Sequence, residues 1–241
     1  FGPGDPVSLG EIRQTGATAI FSALHEIPYG EAWPADAIAR RQVEIAAAGL
    51  RWRVVESVPV HESIKTRTGD FARCIENYRV TLERLGAAGI EVVVYNFMPV
   101  MDWVRTDLRH RLPDGSEALL YDPKKFAAFD LFALERPGAE RDWTAAQRAA
   151  AAAFWARLRE HLRQFLEAIV PTAEKAGVRL AIHPDDPPFR VLGLPRIVST
   201  EADLCAVTAM VESPANGLCY CTGSLSARED NDLAGIVRRL G

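Results

Sequence analysis

Hydrophobic and polar positions along the 241-residue chain fall into a unit that recurs. Three segments share it: A-A-A-G-L-R-W-R-V-V-E-S ending at Ser57, G-A-A-G-I-E-V-V-V-Y-N ending at Asn96, and E-K-A-G-V-R-L-A-I-H-P ending at Pro184. In each, a stretch with helical spacing stops at a glycine (Gly49, Gly89 or Gly177), as a left-handed C-cap requires. An apolar, β-branched run follows at once and closes on a polar residue. Q-T-G-A-T-A-I-F-S-A-L-H near the start and A-N-G-L-C-Y-C-T-G-S near the end are looser copies. The pattern predicts strands near 17–24, 51–58, 91–98, 178–183 and 217–222. The helices between are amphipathic: Phe71, Cys74, Ile75, Tyr78, Leu82 and Leu85 share one face, and Trp155, Leu158, Leu162, Phe165 and Ile169 share another.

Helices alternating with short apolar strands mean parallel strands joined by crossovers. A doubly wound nucleotide-binding sheet should open on a glycine-rich turn, and F-S-A-L-H-E-I-P-Y-G is no such turn. Polar residues gather instead at the C-terminal ends of several strands: His25, Glu56, Ser57, Asn96, His183 and Cys221. That is the face on which barrel enzymes carry their chemistry. The expected fold is therefore α/β, a (β/α)8 TIM barrel, with residues 1–241 forming one domain that holds about five of the eight units. The last helix, about Asp230 to Leu240, stops at Gly241, where the pattern calls for a further strand. Residues 99–143 are too long for a simple strand-to-helix loop and contain P-D-G-S between two arms. An inserted lid over the active face is expected there, with a hairpin turning at Asp114–Gly115.

Composition narrows the function classes. There are 28 Lys+Arg against 32 Asp+Glu, a net charge of −4, and no basic run that would track phosphates, so nucleic acid is not an expected partner. No stretch approaches about 18 uninterrupted apolar residues, which excludes a membrane span. Cys74, Cys205, Cys219 and Cys221 form no C-x-x-C pair, and a chain this long needs no disulfide staples. They read as thiols of a reducing, cytoplasmic compartment, with Cys74 and Cys205 as small buried hydrophobes. Cys219 and Cys221, two apart on one strand, would share a face as one ligand with a packed neighbour.

The candidate chemistry lies at the strand ends. His183 is followed by Pro184, Asp185, Asp186, Pro187 and Pro188, and the prolines lock an extended turn that cannot continue the strand. Cys221 heads C-T-G-S at the end of the next strand, so His183 and Cys221 can meet at one metal ion. Imidazole with thiolate suits zinc, iron or manganese alike, and two ligands leave the shell incomplete. His25, Glu56 and Asn96 close earlier strands, where supporting hydrogen bonds or helix caps are equally open readings. Arg105, in M-D-W-V-R-T-D-L, can clamp a carboxylate through its fork or form a surface pair with Asp102 or Asp107.

These residues resemble the mannonate dehydratase family. The matching runs are G-P-G-D-P-V-S-L (2–9), V-V-E-S-V-P-V-H-E (54–62), I-K-T (64–66), Y-N-F-M-P-V-M-D-W (95–103), R-T-D-L (105–108), L-P-D-G-S (112–116), H-P-D-D-P-P (183–188), L-G-L-P-R-I-V-S-T (192–200), C-T-G-S (221–224) and R-E-D-N-D-L (228–233). The resemblance implies a barrel of the xylose-isomerase-like kind and a divalent metal, Mn²⁺ or Fe²⁺. The implied reaction removes water from D-mannonate, a small sugar acid, to give 2-keto-3-deoxy-D-gluconate in hexuronate breakdown. His183 and Cys221 match family metal ligands; the resemblance places the others further along the family's sequence than the runs matched here. His25, Asn96, Arg105 and Asp185 are expected to hold the substrate, with His25 and Asp185 as candidate catalytic groups. A homo-oligomer is expected, a dimer being favoured. A sugar isomerase or epimerase on the same barrel is the alternative enzyme class, which the thiolate disfavours; a non-catalytic sugar-acid-binding relic is the alternative outside enzymes.

Overall fold

Three helices end on the same lock, and a strand follows each. In the computed structural model, which describes residues 1–128, 152–191 and 193–241, the chain runs α1 (Leu9–Gln14), β1 (Ala19–Ser22), α2 (Ala35–Ala47), β2 (Arg51–Glu56), α3 (Glu62–Thr66), α4 (Phe71–Ala87) and β3 (Val92–Tyr95). It continues through β4 (Asp107–Arg111), β5 (Glu117–Leu120), α5 (Pro123–Ala128), α6 (Leu158–Ala176), β6 (Arg179–Ile182), α7 (Glu201–Thr208), β7 (Asn216–Leu218), α8 (Thr222–Ser226) and α9 (Leu233–Leu240). After α2, α4 and α6 the chain turns left-handed at Gly49, Gly89 and Gly177, with φ of 74°, 78° and 70°. The amide that follows each glycine reaches back into the helix: Leu50 to Ile45, Ile90 to Leu85, Val178 to Ala173. Leu50, Ile90 and Val178 are all buried, so each lock also starts the core contact of the next strand.

The strands form one parallel sheet in the order β1-β2-β3-β6-β7. That order follows the chain without reversal, which is how a barrel winds; a doubly wound sheet reverses at its switch point. β1 and β7 are its two edges and do not pair with each other. Helices cover one face. Tyr95 and Phe97 meet Phe165 of α6 with ring centroids 6.0 and 5.8 Å apart, and Tyr78 of α4 meets the same ring edge-on at 5.1 Å. On the opposite face Phe21 is 51% exposed. Among the described residues, no helix is long and apolar enough to cross a membrane.

β4 and β5 pair antiparallel, and the P-D-G-S stretch turns between them, with Gly115 at φ 88° and its amide on Leu112 O. The remainder of the 99–143 segment, from residue 129, lies outside the described residues, as does the alanine-rich run up to residue 151. Two cysteine expectations need correction. Cys205 is exposed, because Leu204 and Val207 take the core face of α7 and turn it outward. Cys219 and Cys221 do not share a strand. The Cys219 amide still bonds Ile182 O across the ladder, but the Cys221 amide turns back to Cys219 O, so β7 ends at Leu218 and Cys221 caps α8.

Candidate active site at the C-terminal mouth of the sheet

The ladder sets the stage for His183. Tyr95 pairs with Ile182 and Ile182 with Leu218, so Asn96, His183 and Cys219 stand side by side just past the strand ends. Since Tyr95 points to the helices, the alternation of the pleat turns these three to the open face. The His183 amide is held by Tyr95 O at 2.7 Å, and its Nδ1 lies 2.7 Å from Pro184 O. A carbonyl only accepts, so Nδ1 carries the proton and Nε2 keeps its lone pair. This is the tautomer a metal-ligating imidazole needs, fixed by its second nitrogen.

Of the two neighbouring thiols, burial first, then the nearby Glu56 and Cys221, pushes Cys219 up to about 11, so it stays protonated near neutral pH. Cys221 is the other sulfur at this mouth, at the N-cap of α8. Its Sγ lies 3.3 Å from Ser224 Oγ, one turn along α8. Among the described residues, no group of three or more His, Cys, Asp or Glu is arranged to hold a metal. His183 and Cys221 remain the candidate donors, an imidazole nitrogen and a sulfur, of a shell that further ligands would have to complete.

The aspartate pair after His183 splits in two directions. Asp185 is only 1% exposed and turned inward; Oδ2 accepts from the Val198 amide at 2.6 Å and the Ser199 hydroxyl at 3.0 Å. Burial raises its pKa, against the lowering effect of those bonds. Expected to face the substrate, Asp185 instead ties two loops together behind the site, because its carboxylate is fully engaged there. Asp186 points to the mouth. It takes Arg105 end-on, Nη1 to Oδ1 at 2.7 Å and Nη2 to Oδ2 at 2.8 Å, and its Oδ2 also accepts from Ser224 Oγ at 3.1 Å. Arg105 thus pairs with neither Asp102 nor Asp107, and its guanidinium lies 4.8 Å from the Trp103 ring centroid.

Asn96 is likewise spent locally. Nδ2 donates to Asp102 at 2.9 Å and Oδ1 accepts from the Met98 amide at 3.3 Å, which shapes the loop after β3 instead of leaving an amide for a ligand. That loop is gripped from both neighbours. Lys65 Nζ donates to Met98 O at 2.7 Å, Glu62 accepts the Val100 amide at 3.0 Å, and Arg196 Nη1 donates to Met101 O at 2.9 Å. His25 lies exposed in the turn three residues after β1, against Gly2, with no hydrogen bond to any described residue. Sequence reasoning missed Asp186, Ser224, Lys65 and Arg196 as site-building groups. The doublet of aspartates and the three-residue step from Cys221 to Ser224 were the signals available.

Comparison with known proteins agrees with this geometry. A family model described as D-mannonate dehydratase (UxuA) matches residues 1–241. A curated relative from Marinomonas sp. (strain MWYL1), named mannonate dehydratase, is 48% identical over 284 residues, covering 100% of this chain and 73% of the relative. The crystal structure of mannonate dehydratase from Streptococcus suis serotype 2 superimposes with a TM-score of 0.83 at 37% identity, over 99% of this chain and 67% of that one. A xylose isomerase-like TIM barrel protein from Mycobacterium smegmatis, solved in complex with magnesium, matches at 14% identity and a TM-score of 0.52 over 96% of this chain and 61% of that one, a likeness of fold alone. A barrel-type sheet with its polar groups at the strand ends, and a family match running from the first residue to the last, place this chain in the D-mannonate dehydratase family.

Proposed function

We propose that the protein dehydrates D-mannonate to 2-keto-3-deoxy-D-gluconate with a divalent metal, Mn²⁺ or Fe²⁺, in the breakdown of hexuronates in the cytoplasm. The observation that carries this reading is an arginine suited to a carboxylate, Arg105, tied through Asp186 and Ser224 to the Cys221 thiol, with His183 at the end of the strand beside β7. The reaction begins with loss of a proton α to a carboxylate, which is only weakly acidic because a second negative charge must build beside the first. Arg105 answers that difficulty by hydrogen-bonding the carboxylate as charge develops. A cation held by His183 and Cys221 would supply Lewis-acid stabilisation of the same charge. We assign His25, exposed three residues past β1, as the imidazole that moves a proton, with Asn96 and Asp185 shaping the loops that follow β3 and β6.

The test is direct. Full-length enzyme, stripped with a chelator and reloaded with Mn²⁺ or Fe²⁺, is incubated with D-mannonate and the product weighed. Loss of one water with appearance of a 2-keto acid, abolished by chelation and restored by metal, is the expected result. A product of unchanged mass would move the assignment to an isomerase or epimerase.

A further inference from the structure

Arg105 has five N–H donors arranged as two forks. The end-on fork is filled by Asp186 at 2.7 and 2.8 Å, and Nη1 also donates to Val104 O at 2.8 Å. Three donors are thus committed. The remaining two, Nε–H and the second Nη2–H, form the side-on fork, find no acceptor among the described residues and are not among the buried unpaired donors. We propose that this side-on fork receives the carboxylate of the sugar acid, and that Asp186 and Ser224 are the positioning residues that aim it. The proposal rests on the dehydratase reading above and specifies how that site recognises its substrate class.

The surroundings support a preset clamp. Arg105 and Asp186 keep 17% and 14% of their side-chain surface exposed, so the pair is partly desolvated yet reachable. Fixing an arginine costs it rotamer entropy; here Asp186, Val104 O and the Trp103 ring have fixed it before any ligand arrives. Because Asp186 offsets the guanidinium charge, the open fork selects by geometry more than by net attraction, and a planar two-oxygen carboxylate matches it. A lactone or an alditol, lacking that group, does not. Ser224 links this clamp to the metal side, since its hydroxyl sits between Asp186 Oδ2 at 3.1 Å and Cys221 Sγ at 3.3 Å. Placement of the thiol and aim of the clamp therefore share one residue.

Ser224→Ala, Ser224→Thr, Asp186→Asn and Arg105→Ala are made in the full-length enzyme, with a thermal melt of each as the control for folding. Mn²⁺ affinity is titrated without substrate, and KM and kcat for D-mannonate are measured separately. Arg105→Ala and Asp186→Asn should raise KM by about ten- to a hundred-fold with a smaller change in kcat, while Mn²⁺ affinity stays near wild type. Ser224→Ala should raise KM and also weaken Mn²⁺ binding by about ten-fold, and Ser224→Thr should restore both. If Asp186→Asn does not fold, the Ser224 pair decides. Unchanged KM in Arg105→Ala, in an enzyme that still dehydrates D-mannonate, overturns the clamp and leaves the dehydratase reading intact; a wild type that leaves D-mannonate untouched overturns the reading itself. A damaged Arg105→Ala beside Asp186→Asn and Ser224→Ala at wild-type KM and Mn²⁺ affinity removes the positioning role.

Discussion

Lys65 roots the loop that carries Arg105, and it does so as a buried ammonium. Desolvation lowers its pKa, only partly offset by Glu62 and Asp102. A lysine whose folded pKa lies below its unfolded value costs stability wherever it is protonated in the fold. That cost is full below the folded pKa and fades as the pH rises from there toward 10.5, so stability climbs with pH across this window. Lys65→Met removes the ammonium together with its bond to Met98 O. Urea midpoints taken in steps from neutral pH to about 10.5 should rise less steeply in the variant than in wild type; equal slopes would place the titration elsewhere. Asp185 works at the same scale with the opposite charge. Asp185→Ala leaves the Val198 amide and the Ser199 hydroxyl buried without an acceptor, at a cost of about 1–3 kcal/mol. Denaturant titration of the metal-free enzyme measures it, and a loss under half a kilocalorie would show that water takes the carboxylate's place.

At the scale of elements, the tightest contact in the helical layer is α4 against α6. A Cβ built on Gly86 would lie 2.3 Å from Ala176 O, a backbone atom that cannot swing aside. Alanine in a helix interior ordinarily stabilises over glycine by roughly 0.5–1 kcal/mol. Here the sign should reverse, since forcing the two helices apart costs about 1–3 kcal/mol. Gly86→Ala is expected to lower the urea midpoint, and a raised midpoint would mean that the helices have slack to separate. Elements of this kind were readable from the sequence wherever one local device repeats. The glycine locks at Gly49, Gly89 and Gly177 each announce a strand, and β2, β3 and β6 start within two residues of where the pattern puts them. β7 was read too long, because the turn at Cys221 ends pairing where composition still looks strand-like. The sequence singled out His183 and Cys221 at the strand ends, but it did not show which residues hold them in place. Arg105 and Asp186 are 81 positions apart, and no spacing rule says which of two adjacent aspartates turns inward.

Across the whole molecule, five strands wound in chain order present, among the described residues, two unpaired edges and a face that no described helix covers. Among the described residues, β1 and β7 each pair with a strand on one side only, and Phe21 of β1 stands half exposed on the sheet's open side. Apolar area of this kind is worth about 25 cal/mol per Å² when it is buried, and unpaired edges recruit other strands. Among the described residues, no group of three or more His, Cys, Asp or Glu is arranged to hold a metal. A polypeptide limited to these 241 residues is therefore expected to bind a hydrophobic dye strongly, to elute as species larger than 26.5 kDa, and to leave D-mannonate unchanged at saturating Mn²⁺. Extending it to the full length of its relatives should suppress the dye signal and bring dehydration with it, since one closure buries the face, pairs the edges and completes the donor set. Dye binding, elution volume and activity should then change together. A 241-residue polypeptide that is monodisperse, silent toward the dye and active would show that the five-stranded sheet sustains the site without closing.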